Sequence, residues 1–270
     1  MNVFAACKAA GRAAFIPYFM AGDPPGVASV ELAIAAVDSG ADIVELGIPY
    51  SDPIADGASI QAASQRALAR GMTFDAALGL ASTIASRIAP VPLVAFSYYN
   101  PIFVRGVERA ATQLRSAGLA GAVIPDLPTD EAEALLTAFR RERLSAIFLV
   151  APTTPLQRAG AIARHCTDFV YVVSRMGVTG VDRAPIDSIR ERVQRLRTVT
   201  AKPLAVGFGV ATPEQALGIA QVADGVVVGS ALVDRIAAAR SLRAATRSVR
   251  EFCRAYSAVM QRSRSDGRRG

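Results

Sequence analysis

The sequence predicts a (β/α)8 barrel of the TIM type with an extra N-terminal helix. Two observations carry this: short apolar runs alternate with segments of helical spacing, and there are eight of the runs. A third is length: 270 residues, 51% of them hydrophobic, suit one barrel-sized domain with a large core. The runs are rich in Val, Ile and Phe and lack polar alternation, as strands buried on both faces do. Strands alternating with helices imply parallel pairing through right-handed crossovers, and eight such units most simply close into a barrel. A doubly wound open sheet is the alternative; eight repeats and no dinucleotide fingerprint argue against it.

Taken in order, a short helix over Asn2–Ala10 precedes the first run, Ala14–Phe19. A helix over Val27–Ser39 follows, with apolar residues at Val30, Ile34 and Val37, and then the second run, Ile43–Leu46. Thr73 serves as N-cap of a helix over Thr73–Arg87, ahead of Leu93–Phe96. A helix over Gly106–Ala117 is closed by Gly118, and Ala122–Ile124 is the fourth run. Thr129–Arg143 opens Thr-Asp-Glu, a sound helix start. The fifth to seventh runs are Ala146–Val150, Phe169–Val173 and Leu204–Val206. Thr212–Ala220 places Pro213 at the first helical position, before the eighth run, Gly225–Val228. Ser230–Tyr256 is the last helical stretch, interrupted near Ser241. One domain covers residues 1–261, and 262–270 reads as a disordered basic tail.

Composition narrows the function classes. The net charge is +7, almost all of it from Arg and much of it between Arg240 and Arg269. No aromatic interleaving and no binding motif accompanies it, so nucleic acid is not expected as a partner. No apolar run approaches the roughly 20 residues that span a bilayer. Cys7, Cys166 and Cys253 form neither a disulfide framework nor a metal-ligand pattern, which places the chain in the reducing cytoplasm. The one histidine, His165, precedes the sixth run and belongs to the non-catalytic face. With no His–carboxylate cluster, no catalytic metal is expected. Lys8 and Lys202 are the only lysines, and neither stands where a Schiff base would form. Acid–base chemistry by carboxylates remains.

In this fold the site lies at the C-terminal ends of the strands. The second run ends in ELGIPYSDPIADG, Glu45 to Gly57. Glu45 sits between Val44 and Leu46 at an apolar strand end, where desolvation raises a carboxyl pKa and suits it to proton transfer. Asp52 reads as a turn aspartate; composition leaves Asp56 undecided between turn and site. Asp126, after the fourth run, either faces the site or caps the next helix. Glycine-bearing turns follow the sixth, seventh and eighth runs: Ser174–Gly180, Gly207–Gly209 and Gly229–Ser230, the last opening a helix. Glycines admit an anion close to backbone N–H groups, and a helix N-terminus adds its dipole, so a phosphate site is expected there.

The loop ELGIPYSDPIADG closely resembles the signature of the tryptophan synthase α subunit. The resemblance extends over nearly the whole chain, through Phe15–Pro25, Tyr98–Pro101, Asp126–Pro128, Ser174–Gly180, Gly207–Gly209 and Gly229–Ser230. It implies a lyase that splits indole-3-glycerol phosphate into indole and glyceraldehyde 3-phosphate by a retro-aldol reaction. Glu45 matches the family's catalytic general acid–base, and Asp56 the aspartate that bonds the indole N–H. Tyr171 matches a tyrosine beside the glutamate. Gly180, Gly209, Gly229 and Ser230 match the phosphate-binding backbone, and Tyr98, Asp126 and Thr179 join the substrate-binding set. Phe208 and Phe19 would line the indole pocket, and the loops Pro49–Ala58 and Arg175–Arg183 would be mobile lids. The resemblance also implies a β-subunit partner in an α2β2 assembly, meeting this chain around Pro49–Pro53. Pyridoxal phosphate would belong to that partner, with no cofactor here. Ala58 stands where the family usually has Pro, and Val-Asp-Arg follows Gly180; both bear on lid closure and partner contact. The alternatives are a freestanding indole-releasing lyase, a weakly active partner that gates a β subunit, and another phosphate-binding barrel such as a sugar-phosphate isomerase.

Overall fold

The computed structural model describes residues 2–174, 186–207 and 209–262. Its strands are β1 (Ala14–Met20), β2 (Val44–Gly47), β3 (Leu93–Phe96), β4 (Gly121–Val123), β5 (Ser145–Ile147), β6 (Leu149–Val150), β7 (Val170–Val173), β8 (Leu204–Gly207) and β9 (Gly225–Val228). All pair in parallel, in the order β5-β4-β3-β2-β1-β9-β8-β7-β6. The two end strands are halves of one run, split at Phe148. The first half pairs with β4 and the second with β7. The Phe148 carbonyl accepts from Tyr171 N–H at 3.1 Å, so the run stitches both edges and closes an eight-position barrel. This is the predicted fold; the fifth strand differs only in its break.

Alternation along the strands divides the core into two layers. Ala14, Ile16, Tyr18 and Met20 of β1 join Val94, Phe96, Tyr171 and Val227 in the barrel interior. Phe15 and Phe19 join Leu46, Ala95 and Val226 in the layer between barrel and helices. The N-terminal helix, α1 (Val3–Ala9), sends Phe4 and Cys7 into the interior cluster. Phe4 packs against Phe169 with ring centroids 5.1 Å apart and planes tilted by 48°. A Cβ on Gly225 would lie 3.0 Å from the Phe4 ring, so glycine there makes room for the plug that seals the N-terminal mouth.

The helical ring contains more than the spacing predicts. The expected segments appear as α2 (Val27–Val37), α4 (Phe74–Ile88), α6 (Val107–Ser116) and α10 (Pro213–Ala220). Thr73 accepts from Ala76 N–H at 3.2 Å as the expected N-cap, and Gly118 has φ +77° past the end of α6. Thr212 and Gln215 form a reciprocal capping box on α10. The stretch expected over Thr129–Arg143 begins as a 3-10 turn, Thr129–Glu131, and becomes α7 only over Glu133–Glu142. The last stretch breaks as expected into α11 (Ser230–Ala237) and α12 (Leu242–Arg262), and Ser241 accepts from Ala244 N–H at 3.2 Å. α12 takes in Arg262, the first residue of the expected tail; residues 263–270 lie outside the described residues. Four helices were not read from the sequence: α3 (Ala58–Ala69), α5 (Tyr99–Phe103), α8 (Leu156–His165) and α9 (Ile186–Arg197). Among the described residues no helix is long and apolar enough to cross a membrane.

Candidate active site

Glu45 of β2 shares a face with Ile43, just before the strand, and Ile43 belongs to the barrel interior. Glu45 pairs in register with Tyr18 on one side and Val94 on the other, both interior residues. It is 2% exposed, and neither carboxylate oxygen has a hydrogen-bond partner. A buried carboxylate without partners is costly, and this one responds by holding its proton. Burial, and then the charge of Asp56, push its pKa up to about 8. Asp56 is 6% exposed, and burial raises it to about 7 against the opposing effect of a hydrogen bond from Tyr98. Tyr98 also accepts from Ala55 N–H at 2.9 Å. The two carboxyls therefore sit within each other's field, both poised near neutrality, which is the arrangement acid–base chemistry needs.

Two tyrosines floor this cup. Tyr18 and Tyr171 are both fully buried, and their pKa values are raised by burial and by the charges of Glu45 and Asp56. Each reaches over a glycine on the next strand. A Cβ on Gly47 would lie 1.9 Å from the Tyr18 hydroxyl, and one on Gly207 would lie 2.5 Å from that of Tyr171. A side chain at either position would evict the ring.

The predicted site residues divide as follows. Glu45, Asp56, Tyr98 and Tyr171 come together at the strand tops. Gly229 is adjacent, since its Cβ would sit 3.6 Å from that of Tyr18, and Ser230 opens α11 beside it. Gly209 has φ +84°, a left-handed conformation that glycine adopts without strain. Thr179, Gly180 and Phe208 lie outside the described residues, as does the Arg175–Arg183 loop.

One expectation is corrected. Phe19 packs in the outer layer against the helices; the aromatic side chain that β1 sends inward is Tyr18, one residue earlier. Tyr18 is thus a site residue the sequence reading missed. Asp126 lies close enough to Tyr98 for its charge to raise that tyrosine's pKa. Its Oδ1 accepts from Tyr99 N–H at 2.9 Å, which caps α5, a helix 27 residues earlier in the chain. Asp52 is an exposed turn residue, as expected, bonded to Ser51 Oγ at 2.5 Å.

A closed parallel barrel with an apolar interior and two buried carboxyls of raised pKa at its C-terminal mouth defines a barrel enzyme of the acid–base type. The sequence matches the family described as tryptophan synthase alpha chain over residues 4–261. It is 44% identical over 252 residues to the tryptophan synthase alpha chain of a Picosynechococcus species, covering 93% of this chain and 94% of that one. Against the Arabidopsis thaliana alpha chain the identity is 41%, covering 86% and 84%. Among solved structures, a Mycobacterium tuberculosis tryptophan synthase superposes with a TM-score of 0.87 at 40% identity, covering 96% of this chain and 97% of that one. The Legionella pneumophila subunit alpha gives 0.87 at 30%, covering 97% of each. This chain belongs to the tryptophan synthase alpha chain family. It is a carbon–carbon lyase of tryptophan biosynthesis, cleaving indole-3-glycerol phosphate to indole and glyceraldehyde 3-phosphate; the freestanding and weakly active alternatives are not favoured.

Proposed function

We propose that Glu45 and Asp56 divide the cleavage between them. The observation that carries this is the buried, unpartnered carboxyl of Glu45 beside a second raised carboxyl. At neutral pH Glu45 begins protonated and delivers its proton to indole C3. The ring nitrogen becomes cationic, and the carboxylate of Asp56 accepts its N–H and offsets the charge. Glu45, now ionised, removes the proton of the adjacent glycerol hydroxyl. The O–H electrons form the aldehyde C=O, the bond to C3 breaks, and its electrons restore the aromatic ring. One proton enters and one leaves, so Glu45 is regenerated without a metal or an organic cofactor in this chain. The apolar walls from Tyr18, Phe96 and Tyr171, with Phe208, receive the indole. Gly209, Gly229 and Ser230, with Thr179 and Gly180, receive the phosphate, aided by the N-terminus of α11.

The same reading gives this chain a β-subunit partner that holds pyridoxal phosphate. Three large apolar side chains are exposed at the strand-top face: Ile54 at 78%, Phe103 at 61% and Val104 at 67%. Their loops adjoin, since Tyr98 bonds the loop of Ile54 and immediately precedes the helix that carries Phe103. Exposed apolar groups grouped beside a site mark a docking face. The cytoplasm is the proposed compartment, consistent with three buried free cysteines. Indole release is measured with and without a tryptophan synthase β subunit, for the wild type and Phe103→Glu. The partner is expected to accelerate the wild type. Phe103→Glu is expected to keep the partner-free rate and lose most of the acceleration. Equal acceleration of both proteins would remove this face from the contact.

A further inference from the structure

Asp56 stands in the loop between β2 and α3, outside any strand or helix, so its carboxyl is only as well placed as that loop. α3, which follows directly, turns two side chains back onto it. They are Gln61 and Ser64, three residues apart and therefore on one helix face. Ser64, 1% exposed, accepts from Tyr50 N–H and donates to the Tyr50 carbonyl, both at 3.0 Å. The Gln61 side-chain amide donates to the carbonyl of Asp56 at 2.8 Å and reaches that of Pro53 at 3.5 Å. Asp56 N–H is spent inside the loop, on the Pro53 carbonyl at 3.1 Å. Ser64 therefore fixes where the loop begins, Tyr98 holds Ala55, and Gln61 reaches from α3 to the main chain of Asp56 itself.

We infer that Gln61 is a positioning residue for the cleavage: its amide pins the Asp56 carbonyl and thereby aims the carboxylate at the indole nitrogen. The inference rests on the role given to Asp56 above. A carboxylate swings with its own Cα, and a drift of about 1 Å at a reacting group costs up to about 100-fold in rate. Release of the loop also lets water reach Asp56. Burial is what holds its pKa near 7, so hydration moves that value down toward the ordinary carboxyl range.

The test uses the full chain saturated with a β subunit and compares wild type, Gln61→Ala, Gln61→Glu and Asp56→Asn. Gln61→Ala is expected to lower kcat by about 10- to 100-fold, change KM for indole-3-glycerol phosphate by less than about threefold, and shift the acid limb of kcat/KM to lower pH. Gln61→Glu keeps the length but cannot donate when ionised, and it is expected to lose kcat to a similar degree. It also carries the test if the alanine variant does not fold. A wild-type kcat in either variant, or an acid limb that stays in place while kcat falls, overturns the inference. If Asp56→Asn retains the wild-type rate, the role of Asp56 fails and this inference with it. If Asp56→Asn is inactive while Gln61→Ala is not, the brace alone fails.

Discussion

Glu45→Gln is expected to abolish indole release and to melt at a higher temperature than the wild type. The loss follows from the chemistry. A carboxamide neither gives up nor takes a proton, and a positioned acid–base group contributes about 10²- to 10⁴-fold in rate. The stabilisation follows from the environment. Both oxygens of Glu45 are buried without a partner, so ionisation in the folded state is opposed by desolvation and by Asp56. Gln has nearly the same shape and no charge to bury. At pH 8.5, where the wild-type group is ionised in both states, the variant should gain on the order of a few kcal/mol. Urea denaturation monitored by circular dichroism reads this directly. A variant that is inactive and also less stable than the wild type would mean that the carboxylate is satisfied by contacts the proposed mechanism does not include.

The second large effect is on pH dependence. The folded pKa of Glu45, about 8, lies above its ordinary 4.5, and that of Asp56, about 7, above its ordinary 3.8. Below both ordinary values the groups are protonated in either state, and neither destabilises the fold. As pH rises through 4.5 the unfolded chain releases protons that the folded chain still holds. Stability then falls by up to about 1.4 kcal/mol per pH unit for each group, until pH passes the folded value. Wild-type stability should therefore decline from pH 5.5 to 7.5, and the slope should be shallower in Glu45→Gln. Activity has a different shape. Cleavage needs Asp56 ionised and Glu45 protonated, so kcat/KM should peak between about pH 7 and 8 and fall on both sides. A rate that keeps rising past pH 9 would exclude a protonated Glu45 as the starting state.

What the sequence disclosed, and what it withheld, has physical causes. Glu45 was legible because a carboxylate in an apolar strand end has no structural purpose there. The barrel was legible because parallel strands buried on both faces read as apolar runs. That same two-sided burial hid the side on which β1 faces inward. Every residue from Ala14 to Met20 is buried, so no polar alternation tells Phe19, which the resemblance implies for the pocket, from its neighbour Tyr18. Only the register of Tyr18 against Glu45 resolves it. α3 escaped notice because its buried face consists of Ala63, Ser64 and Ala67, which are too small to leave an apolar stripe. With α3 unread, Gln61 and Ser64 carried no signal. α9 is the opposite case: Ile189, Val193 and Leu196 recur at helical spacing and could have been read. Asp126 capping α5 across 27 residues is a tertiary contact that no local rule supplies.

The most direct test of the central claim is single-turnover indole formation from indole-3-glycerol phosphate by this chain saturated with a β subunit, comparing the wild type with Asp56→Asn at pH 7.5. Two cooperating carboxyls predict rapid release by the wild type and a rate reduced by at least about 100-fold in the variant, with the fold intact by circular dichroism. An Asp56→Asn protein that releases indole within tenfold of the wild-type rate would contradict the account, leaving Glu45 to act without a charged partner at the indole nitrogen.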